Sequence, residues 1–248
     1  MILDILAISP HPDDVELACG GTLARAVESG ARVGLLHLTR GEAGTRGTVE
    51  ERKSEAECAG RALGAESVEF LDCGDGALRT GAAEEDALIE VLRRLRPEMV
   101  LGPAASDRHP DHGRAHRLVE AACFYAGLAK RKGSGRGEPH RPAAVFHYML
   151  HDTFEPRFVI DVTSSWNKKM AALACYQSQL YQSTGQSGGS RDEREPETKV
   201  SSPEYWLAVE GRARHYGLLI GAEFGEPFGS RLPLAVSDLM SVLPRGLR

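Results

Sequence analysis

Twice in this chain a short apolar run ends in a His-Pro-Asp turn and gives way to a helical pattern. The first run, Ile2-Leu3-Asp4-Ile5-Leu6-Ala7-Ile8, leads to His11-Pro12-Asp13-Asp14; the second, Met99-Val100-Leu101, leads to His109-Pro110-Asp111-His112. Near-continuous apolar runs of this kind read as strands buried on both faces, as parallel sheets covered by helices require. Two such units point to an α/β sheet whose turns share one edge, the carboxyl ends of the strands, where ligands bind. Capping offers a simpler account of a single turn, because Asp is a good helix N-cap and Asp13-x-x-Glu16 has capping-box spacing. It does not explain two His-Pro-Asp turns at equivalent places.

The rest of the chain repeats the alternation. Strands are expected at 33–39, 67–71, 144–150 and 158–162, and helices at 16–28, 48–63, 84–96, 111–129, 164–176 and 203–218. The spacing predicts one Rossmann-like three-layer α/β domain, 1–248, with a mostly parallel sheet and its active site at the carboxyl ends of the strands. Gly20-Gly21 lies inside the first helix, where each glycine costs roughly 0.5–1 kcal/mol relative to alanine. That cost implies close approach of the helix to the sheet or to a ligand. His37, within a strand, reads as structural. The stretch 183–202 has almost no apolar residue and reads as a mobile loop or one ordered by a partner subunit.

Composition narrows the function classes. With 248 residues, 42% of them hydrophobic, the chain can bury one large core. A formal charge of -5 gives no footprint for nucleic acid. No run reaches the roughly 18 apolar residues of a membrane span, and the start lacks the features of a signal peptide, so a cytoplasmic location is expected. The five cysteines (Cys19, Cys58, Cys73, Cys123, Cys175) are odd in number and never in a C-x-x-C pair, which reads as reduced packing thiols. The loop 40–47 lacks a phosphate-binding glycine pattern, which weighs against a nucleotide-binding module.

The two turns supply His11, Asp14 and a histidine of the second turn, the N/O donors that a catalytic zinc site takes while leaving a position for water. Such a metal lowers the pKa of bound water to near 7 and polarises a carbonyl. Asp13, beside a ligand, is the candidate base. Spacing leaves open whether His109 or His112 binds the metal. Arg52 falls in the first turn of its helix, where it opposes the helix dipole, so a functional role is expected. Arg46 and Arg108 lie on loops at the same edge, and an arginine fork suits a carboxylate.

His11-Pro12-Asp13-Asp14 with Glu16 and Gly20-Gly21-Thr22, together with His109-Pro110-Asp111-His112, resembles the PIG-L/LmbE family of zinc-dependent N-acetylglucosaminyl deacetylases, and the resemblance spans essentially the whole chain. It implies His11, Asp14 and His112 as ligands of zinc or another divalent metal, with Asp13 as general base. It further implies His109 as the group that stabilises the oxyanion or protonates the leaving amine, with Asp111 as its orienting partner. Arg52 matches a substrate-positioning arginine, and Asp75 an acidic residue that contacts sugar hydroxyls. Within the family, Leu38-Thr39-Arg40-Gly41-Glu42, Asp107-Arg108-His109 and Tyr176-x-Ser178-Gln179 are most similar to the bacillithiol-pathway branch, which acts on N-acetylglucosaminyl malate. On that resemblance the substrate is an amino-sugar conjugate, bound in part by Arg46, Arg52 and Arg108, and the protein a homo-oligomer, trimeric or hexameric. The same deacetylase chemistry on another N-acetylated sugar or small amide is the alternative.

Overall fold

The computed structural model describes residues 1–131, 137–180, 196, 198–236 and 238; part of the loop 130–142 and most of the stretch 183–202 lie outside them. Seven strands form one sheet in the order β3-β2-β1-β4-β5-β7-β6, where β1 is Ile5–Ser9, β2 Val33–His37, β3 Ser67–Phe70, β4 Met99–Pro103, β5 Ala144–Tyr148, β6 Phe158–Asp161 and β7 Gly225–Ser230. The five strands from β3 to β5 run parallel, and β7 pairs antiparallel with both β5 and β6. The mostly parallel three-layer α/β arrangement expected from the sequence is the fold found.

Helices α1 (Asp14–Glu28), α2 (Val49–Leu63), α5 (Trp166–Leu173) and α6 (Pro203–Ile220) contribute to the apolar core on one face of the sheet. On the other face, α3 (Ala82–Leu95) and α4 (Pro110–Ala126) close the second core around Leu6, Ile8, Leu36 and Val100. From β1 the chain order runs outward one way through β2 and β3, and the other way through β4 and β5. β1 and β4 are therefore neighbours at the point where strand order reverses, and the loops leaving them open a crevice at their carboxyl ends. Both His-Pro-Asp turns sit there.

The strand β7 was not expected, since its sequence Gly-Glu-Pro-Phe-Gly-Ser carries two glycines and a proline. A second difference concerns the cysteines: Cys58 of α2 and Cys175, just beyond α5, are joined by a disulfide with Cα atoms 5.8 Å apart, while Cys19, Cys73 and Cys123 are free and buried. The all-thiol reading is thus corrected for one pair, which is 117 residues apart in sequence and brought together by packing of α2 on α5.

α1 is one helix in sequence but two in geometry. Cys19 breaks the helical path at φ -139°, ψ 20°. Glu226 of β7 accepts hydrogen bonds from the backbone N–H groups of Gly21 (3.1 Å) and Thr22 (2.7 Å) and from the Thr22 hydroxyl (2.6 Å), so a carboxylate from another element caps the second half. The last carbonyls of the first half meet cations instead. Leu17 O accepts from Lys169 Nζ at 2.9 Å and from Arg212 Nη2 at 3.2 Å. Lys169 and Glu226 pair at 2.6 Å with each side chain 2% exposed. Burial pulls the Lys169 ammonium down, and Glu226 opposes it. A Cβ on Gly21 would lie 2.8 Å from Val162 and 3.1 Å from Glu226, which is the close approach the glycine pair implied.

Candidate metal and catalytic site

The turn after β1 is held from every side. Pro10 O accepts from both the N–H (3.1 Å) and the hydroxyl (2.9 Å) of Thr39, His11 O accepts from the Ser9 hydroxyl at 2.8 Å, and Pro12 O accepts from Arg52 Nη2 at 2.8 Å. The next residue, Asp13, takes φ 99°, a left-handed conformation that is uncommon for a side chain other than glycine. Its carboxylate makes no capping bond to α1. Glu16 is fully buried and accepts from the Tyr176 hydroxyl at 2.9 Å. The capping-box reading therefore fails, and Asp13 is left turned toward Arg52, 3.6 Å away. Burial pushes the Asp13 carboxyl up to about 8, with Arg52 acting against the shift and Asp14 adding to it.

His11, Asp14 and His112 converge. Asp14 Oδ2 lies 3.2 Å from His11 Nδ1 and 3.4 Å from His112 Nε2, and it also accepts from the His11 backbone N–H at 3.0 Å. The outer nitrogen of each imidazole meets a second carboxylate. His11 Nε2 is 3.1 Å from Asp75 and 3.5 Å from Asp111, and His112 Nδ1 is 3.1 Å from Asp107. Burial disfavours a charged His112, yet Asp14 and Asp107 outweigh it and raise the imidazole to about 9. The same kind of carboxylate contact, from Asp111, Asp14 and Asp75, holds His11 well above the ordinary histidine range against its burial. The locus is built to retain positive charge.

That donor set fits a divalent cation. One nitrogen of each imidazole lies against the same Asp14 oxygen, and each imidazole is backed on its far side by a carboxylate, the arrangement that fixes tautomer and ring direction in metal-bound histidines. Three groups of donor atoms within 4.8 Å of one another occur among the described residues: His11/His109/His112, Asp14/His112/His151 and His11/Asp75/Asp111.

Several expected roles change. Asp111 does not orient His109 through its carboxylate; that group accepts from Leu78 N–H (3.1 Å) and Arg114 (2.8 Å) and faces His11. It is the Asp111 backbone N–H that donates to His109 Nδ1, at 3.2 Å, because His109 is the N-cap of α4. A neutral His109 consequently carries its proton on Nε2, and burial together with His11 and His112 lowers its pKa. Asp75 also turns to His11, with its second oxygen on the Ala43 N–H at 2.8 Å, so its place is behind a candidate ligand.

The arginines divide. Arg52 is 4% exposed, with its guanidinium on Pro12 O, Gly41 O and Asp13. Arg46 is 6% exposed and donates from Nε to Ser178 O at 2.8 Å. Arg108 alone of the three is exposed at the surface. Two groups went unanticipated. His151, in the loop after β5, stacks on His112 with ring centres 5.5 Å apart, and Asp107, named in the sequence only as part of a motif, backs His112. The signal for His151 was positional, since it follows a strand beside β4 at the same carboxyl edge. His37 is structural as expected: its Nδ1 meets Ser9 at 2.7 Å, and burial lowers it to about 4. A separate cavity of about 410 Å³ lies between His116, Glu120, His147 and Phe154, and none of the converging donors lines it.

Residues 6–123 match the GlcNAc-PI de-N-acetylase (PIG-L) family model. The chain is 32% identical to the diacetylchitobiose deacetylase of Thermococcus kodakarensis over 71% of this chain and 70% of that protein. It is also 32% identical to the 4-oxalmesaconate hydratase of Pseudomonas putida, over 68% of this chain and 71% of the relative. Among solved structures, the conserved protein TT1542 from Thermus thermophilus superposes with a TM-score of 0.83 at 38% identity, covering 96% of this chain and 99% of that one. The chain belongs to the PIG-L family. It is an enzyme of the N-deacetylase class, a hydrolase.

Proposed function

We propose that this enzyme hydrolyses the N-acetyl group of an N-acetylglucosamine-type conjugate, with zinc at His11, Asp14 and His112. The observation that carries the reading is the single carboxylate of Asp14 set between the inner nitrogens of two histidines whose outer nitrogens are backed by Asp75, Asp111 and Asp107. When bound, the cation supplies Lewis acidity toward the acyl oxygen and acidifies water. Asp13 takes the proton of the attacking water as its oxygen adds to the acyl carbon. A carboxyl raised to about 8 can both accept that proton and return it to the amine as the C–N bond breaks. His109, neutral and protonated on Nε2, donates a hydrogen bond to the developing oxyanion. Arg52 acts on the protein side, holding Pro12 O and the Asp13 carboxylate in place.

The arginines narrow how a charged aglycone would be held. Arg46 and Arg52 are buried on protein acceptors, so recognition of a carboxylate such as that of N-acetylglucosaminyl malate rests on Arg108. A neutral sugar or inositol fits the site equally well. Acetate release from N-acetylglucosaminyl malate, diacetylchitobiose, an N-acetylglucosaminyl inositol and free N-acetylglucosamine tests the reading. Zinc-dependent release from at least one is expected. No release from any, together with hydration of an oxalmesaconate-type unsaturated acid, would replace the amide reaction by addition of water to a carbon–carbon double bond.

A further inference from the structure

One carboxylate ties three histidines together. Asp107 Oδ1 accepts from the His109 backbone N–H at 3.0 Å and lies 3.1 Å from His112 Nδ1, while its Oδ2 accepts from the His151 backbone N–H at 3.0 Å. The Asp107 side chain is 4% exposed and that of His112 2% exposed. His109 and His112 belong to the loop and helix after β4, and His151 to the loop after β5. Asp107 is therefore the fastening between two loops, and the ring of His151 stacks on His112 at an interplanar angle of 14° as a result.

We infer that Asp107 is the positioning residue of this site: it fixes His112 with its proton on Nδ1 and its lone pair on Nε2, and sets His151 against the cation locus. The inference rests on the metal-site reading above. A local turn would need only the bond from His109 N–H, two residues away in sequence. Contact with His112 and His151 reaches beyond any turn, and both oxygens are used. Nε2 of His112 faces Asp14, so the tautomer that Asp107 favours is the one able to ligate. Asp14, His112 and His151 then offer donor atoms within 4.8 Å of one another, which gives His151 a place at the rim of the same locus.

The test compares wild type with Asp107→Ala, Asp107→Asn and Asp107→Glu by zinc affinity in chelator competition and by imidazole tautomers in long-range proton–nitrogen NMR of histidine-labelled protein. Alanine removes all three acceptor contacts; zinc affinity is expected to fall about 10- to 100-fold, the usual effect of losing a carboxylate behind a ligating histidine. The signal of a proton fixed on Nδ1 of His112 is expected to give way to a mixture. Asparagine keeps one acceptor oxygen and exchanges the other for a donor, so it falls between wild type and alanine; glutamate recovers part of the affinity. Should the alanine variant fail to fold, the asparagine and glutamate variants still rank the effect. Zinc affinity in the alanine variant within threefold of wild type, or an unchanged His112 tautomer, overturns the inference. The tautomer is read on zinc-loaded protein; a wild type that binds no zinc sinks the metal-site reading, whereas a wild type that binds zinc beside an alanine variant that binds it equally well sinks only the role given to Asp107.

Discussion

Two buried networks of charge lie along α1, one at its N-terminus and one at its break, and they are finished differently. At the break in the helix, Lys169 and Glu226 pair with each other and use their remaining capacity on backbone groups of Leu17, Gly21 and Thr22. At its N-terminus, His11, Asp13, Asp14, Asp75, Asp111 and His112 crowd together, and their imidazoles meet carboxylates in side-chain approaches of 3.1–3.5 Å, with Glu16 Oε2 beside them lacking a hydrogen bond among the described residues. Burying this many ionisable side chains against one another is costly unless their charge is used, and a bound cation would use it. On the proposed function, the network at the break serves the fold and the one at the N-terminus the chemistry.

Mutations should separate the two. Asp13→Asn, in the network at the N-terminus, is expected to lower kcat by about 10²- to 10⁴-fold while leaving bound metal unchanged, because a general base contributes on that scale. Steady-state rates together with elemental analysis decide the point, and loss of metal in the variant would make Asp13 a ligand. Glu226→Ala, in the network at the break, strands a buried ammonium and two helix N–H groups. It is expected to cost about 3–5 kcal/mol of stability, which for a chain of this size lowers Tm by roughly 10 °C. Activity per folded molecule should stay within about twofold of wild type. A kcat loss matching that of Asp13→Asn, with Tm unchanged, would erase the distinction.

The smallest effect concerns His37, which lies beneath the first turn and is fully buried. Its folded pKa of about 4 lies below the ordinary value of 6.5, so the unfolded chain binds the proton more readily. Stability owed to the neutral imidazole is complete above pH 6.5 and drains away as pH falls toward 4, by up to about 3 kcal/mol. His37→Asn, which keeps a donor for Ser9, should flatten that part of the profile. Urea unfolding at pH 4.5 and 7 shows it; identical pH dependence in both proteins contradicts it.

The elements visible in the sequence were those with continuous apolar runs or caps. The Thr48/Glu51 capping box forms as its spacing predicts. β7 escaped notice because Pro227, Gly225 and Gly229 all argue against an internal strand, while Glu226 within it is there to cap α1. The convergence of the two His-Pro-Asp turns was legible because strand order puts β1 beside β4. Partners across the site were not. Whether Asp111 faces His109 or His11, and whether Arg46 and Arg52 point outward or into the protein, depends on contacts with Ser178, Pro12 and Leu78, far away in sequence. The Cys58–Cys175 bridge is of the same kind, since only the packing of α2 on α5 brings the two sulfurs together.

Metal content of the purified chain tests the central claim most directly. Elemental analysis of wild type is expected to find about one divalent ion per chain, and His11→Ala, Asp14→Ala and His112→Ala each to abolish it while Glu226→Ala does not. Full occupancy in the three ligand variants, or none in the wild type after dialysis against zinc, would contradict the assignment of the N-terminal cluster to a cation.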